Sequence, residues 1–182
     1  GYVGGPTMAV IAYHWPGIDI YIVDSNKERI DLWNSDNLDN IPVKEPGLSE
    51  IISKVRGRNL FFSNEVDKHI DLCEMIFIAV NTPTKTSGEG KGMAADLKNI
   101  INCAKQVSLA SKSDKIIVEK STLPVRTAEK LKEILEKNKN EKINFEIISN
   151  PEFLAEGTAI QDLFKSDRVL IGAEQTERGK IA

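Results

Sequence analysis

Apolar and polar positions along the chain switch repeatedly between a two-residue and a helical period. Ile18 to Asp24 (IDIYIVD) is β-branched and aromatic and closes on an acid, which predicts a strand. Ser25 stands where a helix cap belongs, and Ile30 and Trp33 follow on one helical face. Asn34 to Pro46, rich in Asn, Asp and Pro, reads as a loop. Gly47 to Val55 predicts a short helix, Asn59 to Phe62 a short strand, and Val66 to Leu72 a turn or two of helix. Met75 to Val80 (MIFIAV) is apolar without interruption, as expected of a strand buried on both faces of a parallel sheet. After a glycine-rich loop at Gly88 to Gly92, Ala95 to Ala110 carries Leu97, Ile100, Ile101, Ala104 and Val107 at helical spacing. Lys115 to Glu119 is a further strand. Pro124 suits a first helical turn, with Val125, Ala128, Leu131 and Leu135 as the buried stripe. Ile143 to Ile148 is again a strand, Asn150 and Pro151 interrupt the pattern, and Arg168 to Ile171 offers the start of another strand.

Strands alternating with helices in this way predict an α/β fold, a Rossmann-like, doubly wound and mostly parallel sheet. One domain spanning residues 1–182 is expected, without internal repeats or low-complexity linkers. The opening GYVGGPT reads as a turn that follows a strand, so the sheet is expected to lack its first strand and the chain to be a fragment.

Composition narrows the function. Lys plus Arg number 24 against 27 Asp plus Glu, a net charge of −3, which leaves no electrostatic footprint for nucleic acid or an anionic membrane. The longest apolar runs, Met8 to Tyr13 and Met75 to Val80, are too short to span a bilayer. No signal peptide and no glycosylation sequon is visible, and a cytoplasmic location is expected. The two cysteines, Cys73 and Cys103, read as buried free thiols of a reducing compartment. His14 and His69 are isolated, so no metal site is expected.

Candidate chemistry lies in the opening turn. Gly1 and Gly4 match the second and third glycines of a G-x-G-x-x-G dinucleotide fingerprint, with Tyr2 and Val3 between them. The helix that follows aims its first N–H groups at the phosphates. An ordinary glycine turn fits the same residues. Asp24 ends the next strand about 20 residues on, where an acid binds the adenosine ribose 2′-hydroxyl and repels the 2′-phosphate of NADP. NAD is therefore the expected cofactor, a solvated strand-end acid being the plainer alternative. Arg29, one helical turn further, covers the adenine or ribose in this reading and is a surface charge in the other.

Several strings then match a known family in order along the chain: GYVGGPT (1–7), FIAVNTPTK (77–85), GKGMAADL (90–97), EKSTLPVR (119–126), SNPEFLAEGTAIQDL (149–163) and DRVLIG (167–172). Together they resemble the UDP-glucose 6-dehydrogenases, the NTPTK and FLAEGTA wording being similar to the animal-type enzymes. The resemblance implies two successive NAD-dependent oxidations at C6 of UDP-glucose through a cysteine thioester, giving the UDP-glucuronate used for glycosaminoglycan synthesis. It makes Glu152 the general acid/base and Thr122 the residue that positions water. It places Val80, Asn81, Thr82, Pro83, Thr84, Ser121, Thr122 and Glu156 against NAD, and Glu152, Phe153, Leu154, Ala155 and Glu156 against the sugar nucleotide. Read alone, Glu152 is a carboxylate near a helix start after Pro151, Ser121 and Thr122 are helix caps, and Phe153 and Leu154 are core residues. The family's catalytic lysine and nucleophilic cysteine are expected beyond Ala182, and neither Cys73 nor Cys103 matches the latter. Family members are homo-oligomers, and Ala79 to Ile101 resembles a segment that supports assembly. Lys44 departs from the family by replacing an aromatic residue before Glu45-Pro46-Gly47. A non-catalytic remnant that binds nucleotide or intact subunits, and a GDP-mannose or UDP-N-acetylmannosamine dehydrogenase, remain as alternatives.

Overall fold

The computed structural model describes residues 1–89, 91–121, 127–139 and 142–182. The chain folds into two compact units, Gly1–His69 with Phe153–Val169, and Ile70–Glu152 with Leu170–Ala182.

In the first unit, α1 (Gly4–His14) leads to β1 (Ile20–Val23), α2 (Lys27–Asn34), α3 (Leu48–Val55) and β2 (Leu60–Ser63), and α7 (Ala159–Phe164) returns to it from late in the sequence. The strands β1 and β2 pair in parallel, Ile20 opposite Leu60 and Val23 opposite Ser63. Apolar side chains at helical spacing on α1 and α3 bury against this pair and against α2, with Ala9, Ala12, Leu48, Ile52, Val55 and Leu60 fully enclosed. Ile30 and Trp33 both enter this core, as their spacing predicts. Trp33 lies flat on Phe62, ring centroids 4.9 Å apart and planes 7° from parallel. The tightest approach in α1 is at Gly5, where a Cβ would stand 2.6 Å from Trp33 Cζ2. A polar element of this core is Asn59, 2% exposed, whose side-chain amide donates to the carbonyls of Ala12, Trp15 and Ile18 at 2.9, 3.2 and 3.2 Å. It thereby gathers the turn between α1 and β1. The cap of α2 is Asn26 rather than Ser25. Asp24 Oδ1 accepts from Asn26 N at 2.9 Å, which delays the helix by one residue and leaves Asn26 Oδ1 to accept from Arg29 N at 3.0 Å.

The second unit holds β3 (Met75–Ile78), α5 (Lys98–Ala110), β4 (Lys115–Glu119), α6 (Thr127–Asn138), β5 (Phe145–Ser149), β6 (Gly172–Ala173) and α8 (Glu177–Ile181); α4 (Val66–Leu72) spans the boundary of the two units. Its sheet runs β3-β4-β5-β6, parallel except for the last pair. Ile100, Ala104 and Val107 of α5 and Leu131 and Leu135 of α6 form the buried stripes on helices that pack together, with Ile117 and Phe145 among the buried strand residues. Two expectations are corrected, and one lies partly outside the described residues. Met75 is 42% exposed, because β3 is the edge of the described sheet rather than a strand enclosed on both faces. The last strand begins at Gly172 and not within Arg168 to Ile171, since pairing with β5 starts at Ser149 and runs antiparallel. The buried stripe of α6 starts at Thr127 among the described residues; Pro124 and Val125 lie outside them. Both architectures follow the Rossmann-like α/β pattern. Among the described residues, no helix is long and apolar enough to cross a membrane.

Candidate active site

The opening turn, the end of β1 and the start of α2 come together in the first unit. Gly5 N donates to Gly1 O at 3.0 Å and Thr7 N to Val3 O at 3.2 Å, so Gly1, Tyr2 and Val3 run directly into α1. Among the described residues no side chain caps α1, and its first turn carries no acid. A helix start without its own carboxylate suits an anionic ligand. Asp24, beyond the last residue of β1, is fixed by Asn26 N and holds Arg29 Nη1 at 3.1 Å through Oδ2. The Gly1 nitrogen lies within electrostatic reach of both Arg29 and Asp24. The glycine turn, the acid and the arginine thus share one electrostatic neighbourhood. Arg29 is neither a lone surface charge nor free of Asp24.

The segment from Pro151 to Ala155 has no regular secondary structure and leads into a turn. Phe153 is 53% exposed and Leu154 half-buried, so neither is a core residue, and the Arg168 guanidinium lies 4.8 Å over the Phe153 ring. Ala155 and Glu156 are exposed. Glu152 is not at a helix start, because Gly157 adopts a left-handed φ of 87° and α7 begins only at Ala159. Thr158 Oγ1 and Ala155 N both donate to Asp162 Oδ2, at 3.0 and 3.1 Å.

In the second unit, loops at the carboxyl ends of β3, β4 and β5 bring the remaining candidates together. Ligands of open α/β sheets bind at such strand ends. Ser121 Oγ donates to Val80 O at 2.7 Å, tying the loop after β4 to the one after β3. Asn81 accepts from Asn99 Nδ2 through its backbone O at 3.0 Å and its Oδ1 at 2.8 Å. Thr84 bridges to Ala95, and Asp96 N donates to Pro83 O at 2.7 Å, so Val80, Asn81, Thr82, Pro83 and Thr84 follow a fixed path. Thr122 lies outside the described residues. Beyond β5, Asn150 N donates to Glu119 O at 2.9 Å, and Lys120 Nζ donates to Asn150 Oδ1 at 3.0 Å.

Two buried charges here escaped the sequence reading. Lys120 loses basicity through burial, against the pull of the Glu152 carboxylate. Glu119, 4% exposed, accepts from Ser149 Oγ at 3.1 Å, and burial raises its pKa. The signal available was a Glu-Lys pair at the end of the apolar run KIIVE, where a solvated charge was the simpler expectation. The thiols of Cys73 and Cys103 are free and part-buried, and burial pushes Cys103 up to about 11, unsuited to thiolate chemistry at neutral pH. Among the described residues no group of His, Cys, Asp or Glu is arranged to hold a metal ion.

The sequence pattern that describes the UDP-glucose/GDP-mannose dehydrogenase family, NAD binding domain, matches residues 1–182. The chain belongs to this family. UDP-glucose 6-dehydrogenase 5 of Oryza sativa subsp. japonica is 58% identical over 182 residues, which cover 100% of this chain and 37% of the rice protein. The fold matches a ternary complex of GDP-mannose dehydrogenase from Pseudomonas aeruginosa with a TM-score of 0.85 and 28% identity, over 100% of this chain and 41% of that one. It also matches a UDP-glucose dehydrogenase from the archaeon Pyrobaculum islandicum, with a TM-score of 0.81 and 28% identity over 100% and 40% of the two chains. This member of the UDP-glucose/GDP-mannose dehydrogenase family thus spans about two fifths of the length of its relatives, over their NAD-binding domain.

Proposed function

We propose that this chain is the dinucleotide-binding part of a UDP-glucose 6-dehydrogenase, which oxidises C6 of UDP-glucose in two NAD-dependent steps to UDP-glucuronate. The observation that carries this reading is the 58% identity to the rice enzyme along all 182 residues. The animal-type refinement rests on the NTPTK and FLAEGTA strings, whereas the relative described is a plant protein. Gly1, Tyr2, Val3 and Gly4 would receive the pyrophosphate at the uncapped start of α1, and Asp24 the ribose hydroxyls. Asp24 and its partner Arg29 face the adenosine end, while Val80 to Thr84, Ser121, Thr122 and Glu156 serve the rest of the dinucleotide. Bound NAD supplies the hydride acceptor. Glu152 holds or takes the substrate proton, Thr122 positions water, and Phe153, Leu154, Ala155 and Glu156 contact the sugar nucleotide. The nucleophilic cysteine belongs to the parts of the family chain outside residues 1–182, and the protein works as a cytoplasmic homo-oligomer in this reading.

The test uses the domain within a chain of its relatives' length, following NADH formation from UDP-glucose. Glu152→Gln is expected to lower kcat by about 10²–10⁴, the usual share of a general acid/base, with a much smaller change in KM. Faster turnover of GDP-mannose or UDP-N-acetylmannosamine than of UDP-glucose would replace the proposed substrate by the faster one.

A further inference from the structure

Glu45 is a buried carboxylate for which the roles above leave no task. It is 8% exposed, yet its charge is well compensated. Oε1 accepts from Gly157 N at 2.8 Å and Oε2 from Ala159 N at 3.1 Å, so a residue early in the chain grips backbone more than a hundred positions later. Burial alone would raise its pKa. The Gly157 N–H, the neighbouring Tyr2 phenol and the Ala159 N–H outweigh that and hold the carboxyl below its usual range. A full charge therefore stands against the segment that carries Ala155 and Glu156. Tyr2, between the two glycines of the opening turn, neighbours this carboxylate. Its phenolic oxygen is buried and faces the Glu45 carboxylate in a contact that falls short of ordinary hydrogen-bond geometry. Burial first, and the Glu45 carboxylate second, push its pKa up.

A carboxylate has about four lone-pair directions, and two of those on Glu45 are used by the amides. A buried hydroxyl in poorly aligned contact with such a group gains a stronger charge-assisted hydrogen bond from a small movement.

We propose that Tyr2 and Glu45 couple dinucleotide binding to the ordering of the sugar-nucleotide segment. Closure of the glycine turn on the phosphates brings the Tyr2 hydroxyl onto Glu45. Glu45, a positioning residue, then fixes the backbone from Gly157 to Ala159 and with it the stretch Phe153 to Glu156. The coupling rests on the dinucleotide reading above. Its energetic basis is the difference in strength of the Tyr2–Glu45 hydrogen bond between the two positions of the turn.

The test is amide hydrogen exchange at Gly157 and Ala159 in the 182-residue chain, with and without saturating NADH, beside an NADH fluorescence titration. In the parent chain NADH slows both amides by about tenfold, the scale of one charge-assisted hydrogen bond. In Glu45→Gln both amides exchange faster and no longer respond to NADH, although NADH still saturates. Tyr2→Phe, measured at whatever NADH concentration saturates it, loses the NADH response at both amides whatever its effect on affinity, which keeps the test decisive if Glu45→Gln does not fold. Saturable NADH binding with no change at Gly157 and Ala159 overturns the coupling alone. Absence of saturable binding overturns the dinucleotide reading and the coupling with it.

Discussion

Asn59→Asp is expected to unfold the chain at temperatures where the parent remains intact. The amide of Asn59 donates to three carbonyl oxygens, those of Ala12, Trp15 and Ile18, within a site that is 2% exposed. Aspartate has the same shape but offers oxygen where nitrogen stood. Ionised, it faces three carbonyl dipoles; protonated, it donates one hydrogen bond and leaves other carbonyls unpaired. Breaking a buried charged or hydrogen-bonded set in this way costs about 3–5 kcal/mol. For a chain of this size that is a fall in Tm of roughly 6–20 °C. Asn59→Leu removes the donors without adding charge and should lose less. A thermal melt of Asn59→Asp within about 2 °C of the parent would show that the three carbonyls are satisfied in some other way.

Gly5→Ala is the second large effect, and its sign is set by a competition. Replacing a helical glycine by alanine ordinarily gains up to about 1 kcal/mol of helix propensity. At Gly5 the new methyl would stand 2.6 Å from Trp33 Cζ2 and 2.8 Å from Cη2. The indole cannot retreat, being fully buried and stacked on Phe62. Overpacking of this kind costs about 1–3 kcal/mol and here exceeds the propensity gain. The net loss should be visible in urea unfolding, and larger for Gly5→Val. Trp33→Phe shortens the ring at the point of contact, so the double variant Gly5→Ala/Trp33→Phe should be more stable than the sum of the single losses predicts. Additive losses would place the strain elsewhere.

The elements were largely legible because each rests on local periodicity. The stripes Ile100, Ala104 and Val107, and Leu131 and Leu135, are buried as their spacing implies, and β4 runs from Lys115 to Glu119 as the apolar run suggests. Errors arose where tertiary context decides. Met75 is apolar in the same way whether its strand is central or at an edge, and nothing local distinguishes Asn26 from Ser25 as a cap until Asp24 has folded onto the Asn26 amide. Of the candidate site, Asp24 was legible from its place after a strand and before a helix. Glu152, Phe153 and Glu156 became visible only through resemblance, since a segment without regular structure has no periodicity to read. Glu45 was invisible as a functional residue: its partners, Gly157 and Ala159, are backbone groups far along the chain, and no side-chain pattern records them.

The most direct measurement is a fluorescence titration of the 182-residue chain with NADH and NADPH, beside Asp24→Ala. The parent should bind NADH saturably and prefer it to NADPH. Loss of hydrogen bonds from a charged carboxylate to the ribose should weaken NADH in Asp24→Ala by about ten- to a hundredfold. The same variant releases Arg29 from its 3.1 Å ion pair and should narrow or reverse the preference against NADPH. No saturable binding by the parent, or equal NADH affinity in parent and variant, would contradict a dinucleotide site built on the opening glycine turn and Asp24.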